Sequence, residues 1–243
     1  MAKNLSKLDV VYRFFSGTGF SYDRVATIGT CGFDRYWKKR IIAGIPAHPA
    51  RILDQACGTG ILTLEIASKF ADCQVTGVEL RDEYLDIARR KARSLGLRNV
   101  QFILGRAEDV IPEEEHDCIT SSYLAKYAEL GPLIANARQI LRPGGVIIMH
   151  DFTYPANPVF LPIWKAYFHF LRLIGSRIWP EWRPVFQELP EFLQKSTWVT
   201  EALTTLREQS FNDIKKELLT FGTSVIITAR TPEAWEPVGL REL

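Results

Sequence analysis

The run Ile52-Leu53-Asp54-Gln55-Ala56-Cys57-Gly58-Thr59-Gly60, followed by Val75-Thr76-Gly77-Val78-Glu79, constrains this chain more than any other feature. An apolar run ends in an acid, turns through two glycines, enters a helical pattern and returns as a second apolar run ending in another acid. This is the pattern of a strand, turn, helix and parallel strand with a nucleoside seat at the strand ends. The glycines let a ligand approach the backbone without a Cβ in the way, and they tolerate positive φ where the chain turns. Glu79 stands nineteen residues after Gly60, where a carboxylate accepts hydrogen bonds from both hydroxyls of a ribose.

Nicotinamide, flavin and S-adenosylmethionine (SAM) sites share that architecture, and the third glycine separates them. A pyrophosphate fingerprint wants glycine where this chain has Thr63, so the close helix approach a diphosphate needs is not provided for. Asp54 at the strand end repels phosphate and suits the ammonium group of SAM. A helix cap or an ordinary turn glycine explains any one of these residues alone; the joint spacing argues against that.

The rest of the chain supports one doubly wound unit. A length of 243 residues suffices for it. Residues 1–48 are helical in pattern with an interruption around Gly29, Thr30 and Gly32, and form a cap. Residues 49–151 form the nucleoside-binding core: strands 51–55, 74–79, 100–104, 117–122 and 146–150 alternate with helices 60–70, 82–95 and 129–141, the last stopped by Arg142-Pro143-Gly144-Gly145. Residues 152–198 break the alternation as an aromatic helical insertion carrying Trp164, Tyr167, Phe168, Trp179, Trp182 and Trp198. Residues 199–243 return to the core with a helix near 199–209 and strands at about 213–220 and 223–230 around Phe221-Gly222.

A net charge of +2 gives no strong field for nucleic acid, and Arg89, Arg90, Lys91 and Arg93 read as a solvated helix face. Cys31, Cys57, Cys73 and Cys118 form neither a C-x-x-C pair nor a metal spacing, which fits free thiols in a reducing cytosol. The first residues lack an apolar signal core and no run reaches membrane-spanning length, so a cytoplasmic location is expected.

Taken together, the chain resembles the class I SAM-dependent methyltransferases over most of its length. Asp54 to Gly60 resembles that family's first motif, Glu79 its ribose-binding acid, Gly105-Arg106-Ala107-Glu108-Asp109 its adenine-edge loop, and Leu141 to Gly145 its post-helix turn. More narrowly it is similar to the ubiquinone and menaquinone biosynthesis C-methyltransferases, on Tyr22-Asp23 with Trp37-Lys38, Asp117 to Tyr123, and Lys165-Ala166-Tyr167 through Ile174-Gly175-Ser176. The resemblance implies an α/β, Rossmann-like class I methyltransferase fold: a mostly parallel seven-stranded sheet with a C-terminal antiparallel hairpin, a helical N-terminal cap and the aromatic insertion. It implies SAM as cofactor, with Thr59, Glu79, Arg106, Ala107 and Ser122 lining its site. Asp54, Cys57, Gly58, Gly60, Leu80, Glu108 and Tyr22 complete the expected cofactor set. The departures fall on the side expected to face the methyl acceptor. Val25-Ala26 stand where the quinone enzymes carry Met-Asn, Asp34 stands where they carry histidine, and Lys126-Tyr127 replace their Arg-Asn pair.

The expected reaction is methyl transfer from SAM to a small, lipophilic, aromatic or quinone-like acceptor, with attack by carbon favoured. O- or N-methylation of another small molecule is the alternative, as is a SAM-binding protein that transfers no methyl. A nucleic-acid methyltransferase is disfavoured, because Ser121-Ser122-Tyr123 lacks the Asn/Asp-Pro-Pro-aromatic signature. Carbon methylation of a phenolic ring needs a group that removes or polarises the phenol proton. His150 and Asp151, after the fifth strand, and Lys126 and Tyr127, after the fourth, are the catalytic candidates. His169 reads as a packed histidine on an aromatic face. The cations Lys165, Arg172, Arg177 and Arg183, interleaved with aromatics, suit contact with the inner face of a membrane. A homodimer is compatible with the same sequence.

Overall fold

Both faces of a sheet must be covered when its strands are apolar at every position, and β-strand alternation decides which side chain goes to which side. In the computed structural model, which describes residues 6–233, three cap helices come first: α1 (Lys7–Phe15), α2 (Tyr22–Gly29) and α3 (Phe33–Ala43). The core follows as β1 (Arg51–Gln55), α4 (Ile61–Lys69), β2 (Gln74–Glu79), α5 (Asp82–Ser94), β3 (Val100–Leu104), β4 (His116–Ser122), α6 (Leu130–Ile140) and β5 (Leu141–Phe152). The insertion carries α7 (Leu161–Phe170), a π-helical turn Leu171–Gly175, α8 (Ser176–Ile178) and α9 (Arg183–Lys195). The chain ends in α10 (Trp198–Glu208), β6 (Asn212–Leu219) and β7 (Ser224–Arg230). Residues 1–5 of the expected cap and 234–243 of the expected C-terminal segment lie outside the described residues.

The seven strands form one sheet in the order β3-β2-β1-β4-β5-β7-β6. The first five run parallel, and β7 pairs antiparallel with both β5 and β6. Along β1, Ile52 packs with Trp37, Ile41, Leu62 and Ile66, while Leu53 packs on the other face with Leu133, Ile134, Ala202 and Leu206. Cys118 and Ile119 on β4 split in the same way. So α3 and α4 cover one face and α6 and α10 the other. All four cysteines are free thiols.

Three local expectations are corrected. The cap is broken twice: once at Cys31 and Gly32, with φ of 51° and 80°, and earlier at Ser16 to Thr18, before a 3-10 turn over Gly19–Ser21. Helix α6 stops at Ile140, before the proline, and the strand starts at once. Lys91 does not belong to a solvated face; its ammonium donates to the Asp23 carboxylate and to the Thr59 carbonyl (3.0 Å), latching α2 of the cap onto the glycine turn.

Candidate functional site

Two cavities open beside the carboxyl ends of the strands. The first, about 390 Å³, lies where the strand order reverses between β1 and β4, the place at which open α/β sheets bind ligands. Glu79 ends β2 inside it, nearly buried. One carboxylate oxygen accepts the Gly58 N–H at 3.0 Å and the other the Arg81 N–H at 2.9 Å. Burial raises the pKa of Glu79, and the backbone N–H groups oppose that rise. Each oxygen keeps a lone pair for a ribose hydroxyl. Gly58 adopts φ of +57°, and no atom lies within 4 Å of the point a Cβ would occupy, so the space beside it belongs to the cavity. A backbone-anchored carboxylate next to an open glycine is the donor and acceptor set that the nucleoside of SAM requires.

Eight of the expected cofactor residues line this cavity together: Tyr22, Gly58, Glu79, Leu80, Arg106, Ala107, Glu108 and Ser122. The roof comes from α1, through Lys7, Leu8 and Val11. The other four expected residues lie behind the wall, each for a visible reason. Asp54 is buried, with one oxygen accepting from Thr63 (2.6 Å) and the other from Thr120 (2.7 Å), and burial pushes its pKa up to about 6. It knits β1, β4 and α4 together instead of reaching toward an ammonium group. Cys57 packs against Gly77, where a Cβ would stand 2.9 Å from its sulfur, and burial raises its thiol pKa well above the ordinary range. Thr59 turns its hydroxyl to Asp23 of the cap, and Gly60, at φ of +83°, lies under Ala88 and Leu64.

The second cavity, about 350 Å³, is apolar. It is enclosed by α1, α2, α3, α7, α9 and the turn between β6 and β7. Phe15, Tyr22, Tyr123 and Tyr127 line both cavities and form the partition between them. Among the described residues that line the second cavity, Lys126 is the one charged side chain. Its ammonium donates to Asp151, and the pair is 2 % and 0 % exposed. Asp151 also accepts the N–H groups of Lys126 (3.0 Å) and Phe152 (2.7 Å). Burial lowers the pKa of Lys126 and raises that of Asp151, each opposed by the attraction of the other charge. The lysine nitrogen sits 4.3 Å from the centre of the Tyr127 ring, a cation–π contact.

His150 does not take the role expected of it. It is fully buried, its Nδ1 bonded to the Ser122 hydroxyl (3.0 Å) and its Nε2 to the Ser224 hydroxyl (2.6 Å), and it lines neither cavity. Burial first, then the cations of Lys38 and Lys126, drive its pKa well below 6.5, so the ring is neutral and fixed. Tyr127 is at the partition, and burial raises its phenol pKa far above 10.

Tyr123 carries more than its sequence context suggests. It follows β4 in the left-handed region, φ 69°, a conformation costing a non-glycine residue about 1 kcal/mol or more. That turn stacks its ring on Phe152, centroids 4.7 Å apart, and aims its hydroxyl at Asp34 (2.7 Å). Asp34 is also ion-paired to Lys38, both nearly buried. The i, i+4 spacing of Asp34 and Lys38 was a visible sign of this pair, but its burial under a tyrosine was not.

Comparison with known proteins agrees with the geometry. The methyltransferase domain family matches residues 52–145. A ubiquinone/menaquinone biosynthesis C-methyltransferase of Shewanella halifaxensis is 30% identical over 178 residues, 71% of each chain. A demethylmenaquinone methyltransferase of Staphylococcus saprophyticus is 26% identical over 234 residues, spanning 93% of this chain and 98% of its own. Among solved structures, the SAM-dependent methyltransferase SibL in its apo form has a TM-score of 0.62 at 17% identity, over 93% of this chain and 62% of that one. That likeness concerns the fold alone.

Proposed function

We propose, for a chain that belongs to the ubiquinone/menaquinone biosynthesis C-methyltransferase family, that its acceptor is a small apolar molecule with a phenolic or quinol-like ring, methylated on carbon. The protein is a SAM-dependent methyltransferase, and its cofactor is SAM. The observation that carries the acceptor reading is the apolar cavity of about 350 Å³, separated from the nucleoside cavity by Phe15, Tyr22, Tyr123 and Tyr127, with Lys126 on its wall and Asp151 paired to it from behind.

Glu79 and the open backbone at Gly58 hold the ribose, Leu80, Ala107 and Glu108 border the adenine, and Ser122 and Tyr22 face the reacting end. SAM supplies an activated methyl at the aromatic partition, so the chain need only align an electron-rich carbon with it. Burial brings Lys126 and Asp151 toward sharing a single proton, and such a pair can take up a second from a phenol hydroxyl. The electron pair left on oxygen raises the density of the ring carbon. Attack by that carbon would form the new C–C bond at the expense of the donor's methyl–sulfur bond and leave S-adenosylhomocysteine. The methylated ring carbon would then release its proton to solvent as the product departs, and the pair would return the phenol proton to the oxygen, restoring an aromatic phenol. Tyr127 and Tyr123 exclude water from the path.

The deciding measurement is formation of S-adenosylhomocysteine, with mass spectrometry of the product, across a panel of phenols, quinols and their O-methyl ethers. Carbon methylation of free phenols or quinols, and none of the ethers, is the expected result. Turnover of ethers at the same rate would remove the proton-accepting role of the pair, and oxygen methylation would overturn the carbon assignment.

A further inference from the structure

The aromatic insertion buries one face in the second cavity and leaves the other uncovered. Trp164, Phe168 and Leu171 line that cavity. Alongside that face Val159, just before α7, and Ile163, Ala166 and Phe170 on it follow one another at three- or four-residue spacing, and Ile163 stands at the edge shared by the two. Val159 is 79% exposed, Ile163 62% and Phe170 55%. Leu173 and Ile174 in the π-helical turn and Ile178 on α8 are exposed as well. This stripe joins the rim of the cavity. Ile163 and Phe33 are at once exposed and part of its lining. The Tyr167 hydroxyl donates to the Ile28 carbonyl (3.2 Å), which brings exposed Ile28 to the same rim. Phe160 stacks on exposed Phe221, centroids 5.0 Å apart, which adds the β6–β7 turn.

Charge identifies what would cover such a face. From Phe152 through Pro180 the chain has no Asp or Glu, while Lys165, Arg172 and Arg177 are all exposed on the helical segment. A second copy of this chain docking through the same face would set cations against cations, whereas an apolar stripe on a segment that carries cations and no acids matches an anionic lipid surface. Among the described residues no helix is long and apolar enough to cross a membrane, so the contact would be interfacial.

We propose that the outer face of α7 and α8, with the rim formed by Ile28, Phe33, Ile163 and Phe221, docks on an anionic bilayer and opens the second cavity toward its hydrocarbon. An apolar acceptor then enters from the lipid without passing through water. The docking argument stands on the surface alone; the delivery of the acceptor rests on the function proposed above.

The test is flotation of the full chain with vesicles of phosphatidylcholine and with vesicles of phosphatidylcholine mixed with phosphatidylglycerol. The protein is expected to float with the mixed vesicles and to remain at the bottom with phosphatidylcholine alone. The double variant Ile174→Glu, Ile178→Glu, which touches neither cavity, is expected to lose flotation. Arg172→Gln and Arg177→Gln are each expected to weaken partition roughly fivefold. SAM affinity by calorimetry is expected to be unchanged in all of them, which shows that the fold is intact and keeps this test separate from that of methyl transfer. Failure of the parent chain to bind mixed vesicles, or equal flotation of the glutamate variant, overturns the proposal. Light scattering that reports a dimer broken by the same glutamates, with no vesicle binding, would assign the face to a second copy.

Discussion

The two cavities share a wall of four aromatic residues and differ in almost everything else. The cavity at the strand ends takes much of its surface from residues at or just beyond the ends of β1, β2, β3 and β4, and its Glu79 carboxylate is set by backbone: two N–H groups bond it beside an open glycine. The apolar cavity has no such frame. It is made of side chains from five helices, the segment after β4, Phe152 and a hairpin turn, distant in sequence, and among the described residues that line it Lys126 is the one charged side chain. A site written in backbone tolerates change around it, because sheet topology fixes the strand ends. A site written in side chains changes with every substitution, and Val25, Ala26, Lys126 and Tyr127, where the sequence is expected to depart from the quinone enzymes, all line this cavity, while Asp34 stands behind it on Tyr123.

Substitutions should separate the two sites in order of effect. Lys126→Met strands Asp151 as a buried, unpaired charge, and is expected to cost about 3 to 5 kcal/mol in denaturant unfolding and roughly 10²- to 10⁴-fold in turnover. The double variant Lys126→Met, Asp151→Asn removes the charge while keeping an acceptor for the backbone N–H groups of residues 126 and 152. It should regain most of the stability and none of the turnover; recovered turnover would end the catalytic assignment of the pair. Glu79→Ala acts on the other cavity, weakening SAM by about 1.5 to 3 kcal/mol in calorimetry. An unchanged SAM affinity would remove the ribose contact.

Asp54 distinguishes a ligand-binding acid from a structural one through pH. Its folded pKa, about 6, lies above the 3.8 of an unperturbed aspartate, so between those values the folded chain holds the proton more tightly than the unfolded chain. Stability from this group is therefore present at low pH and lost as pH rises through about 6, by up to about 2 to 3 kcal/mol. Asp54→Asn should flatten that part of the stability profile while SAM affinity holds; a large loss of SAM affinity would return Asp54 to the nucleoside site. The smallest effect belongs to Tyr123→Phe, which deletes the hydrogen bond to Asp34 and should cost about 1 kcal/mol. Its kinetic signature is a raised KM for the acceptor with SAM binding unchanged, since the ring stays and only the tether to α3 goes.

Thr63 illustrates how far a sequence reading reaches. Its presence where a dinucleotide site has glycine was enough to turn the reading toward SAM, yet its hydroxyl in fact serves Asp54. The sequence distance between the two is short, but an interaction that consumes a carboxylate on both oxygens needed Thr120 from β4 as well. His150 is the same case on a larger scale. A histidine beside an acid at a strand end looks like a base, but Ser122 and Ser224, from two neighbouring strands, occupy both ring nitrogens. Lys91 looked like one cation of a solvated set until α2 delivered Asp23 to it.

The chain order of strands, glycines and acids was enough by itself to determine the sheet, the position of Glu79 and the cofactor, because period-two burial and strand-end geometry are local consequences of local residues. The partners of Asp54, His150, Lys126 and Tyr123 were decided in three dimensions. Each depends on which strand lies beside which and on where the cap helices come down, and at those positions a buried polar group takes whatever partner the packing brings within hydrogen-bond reach.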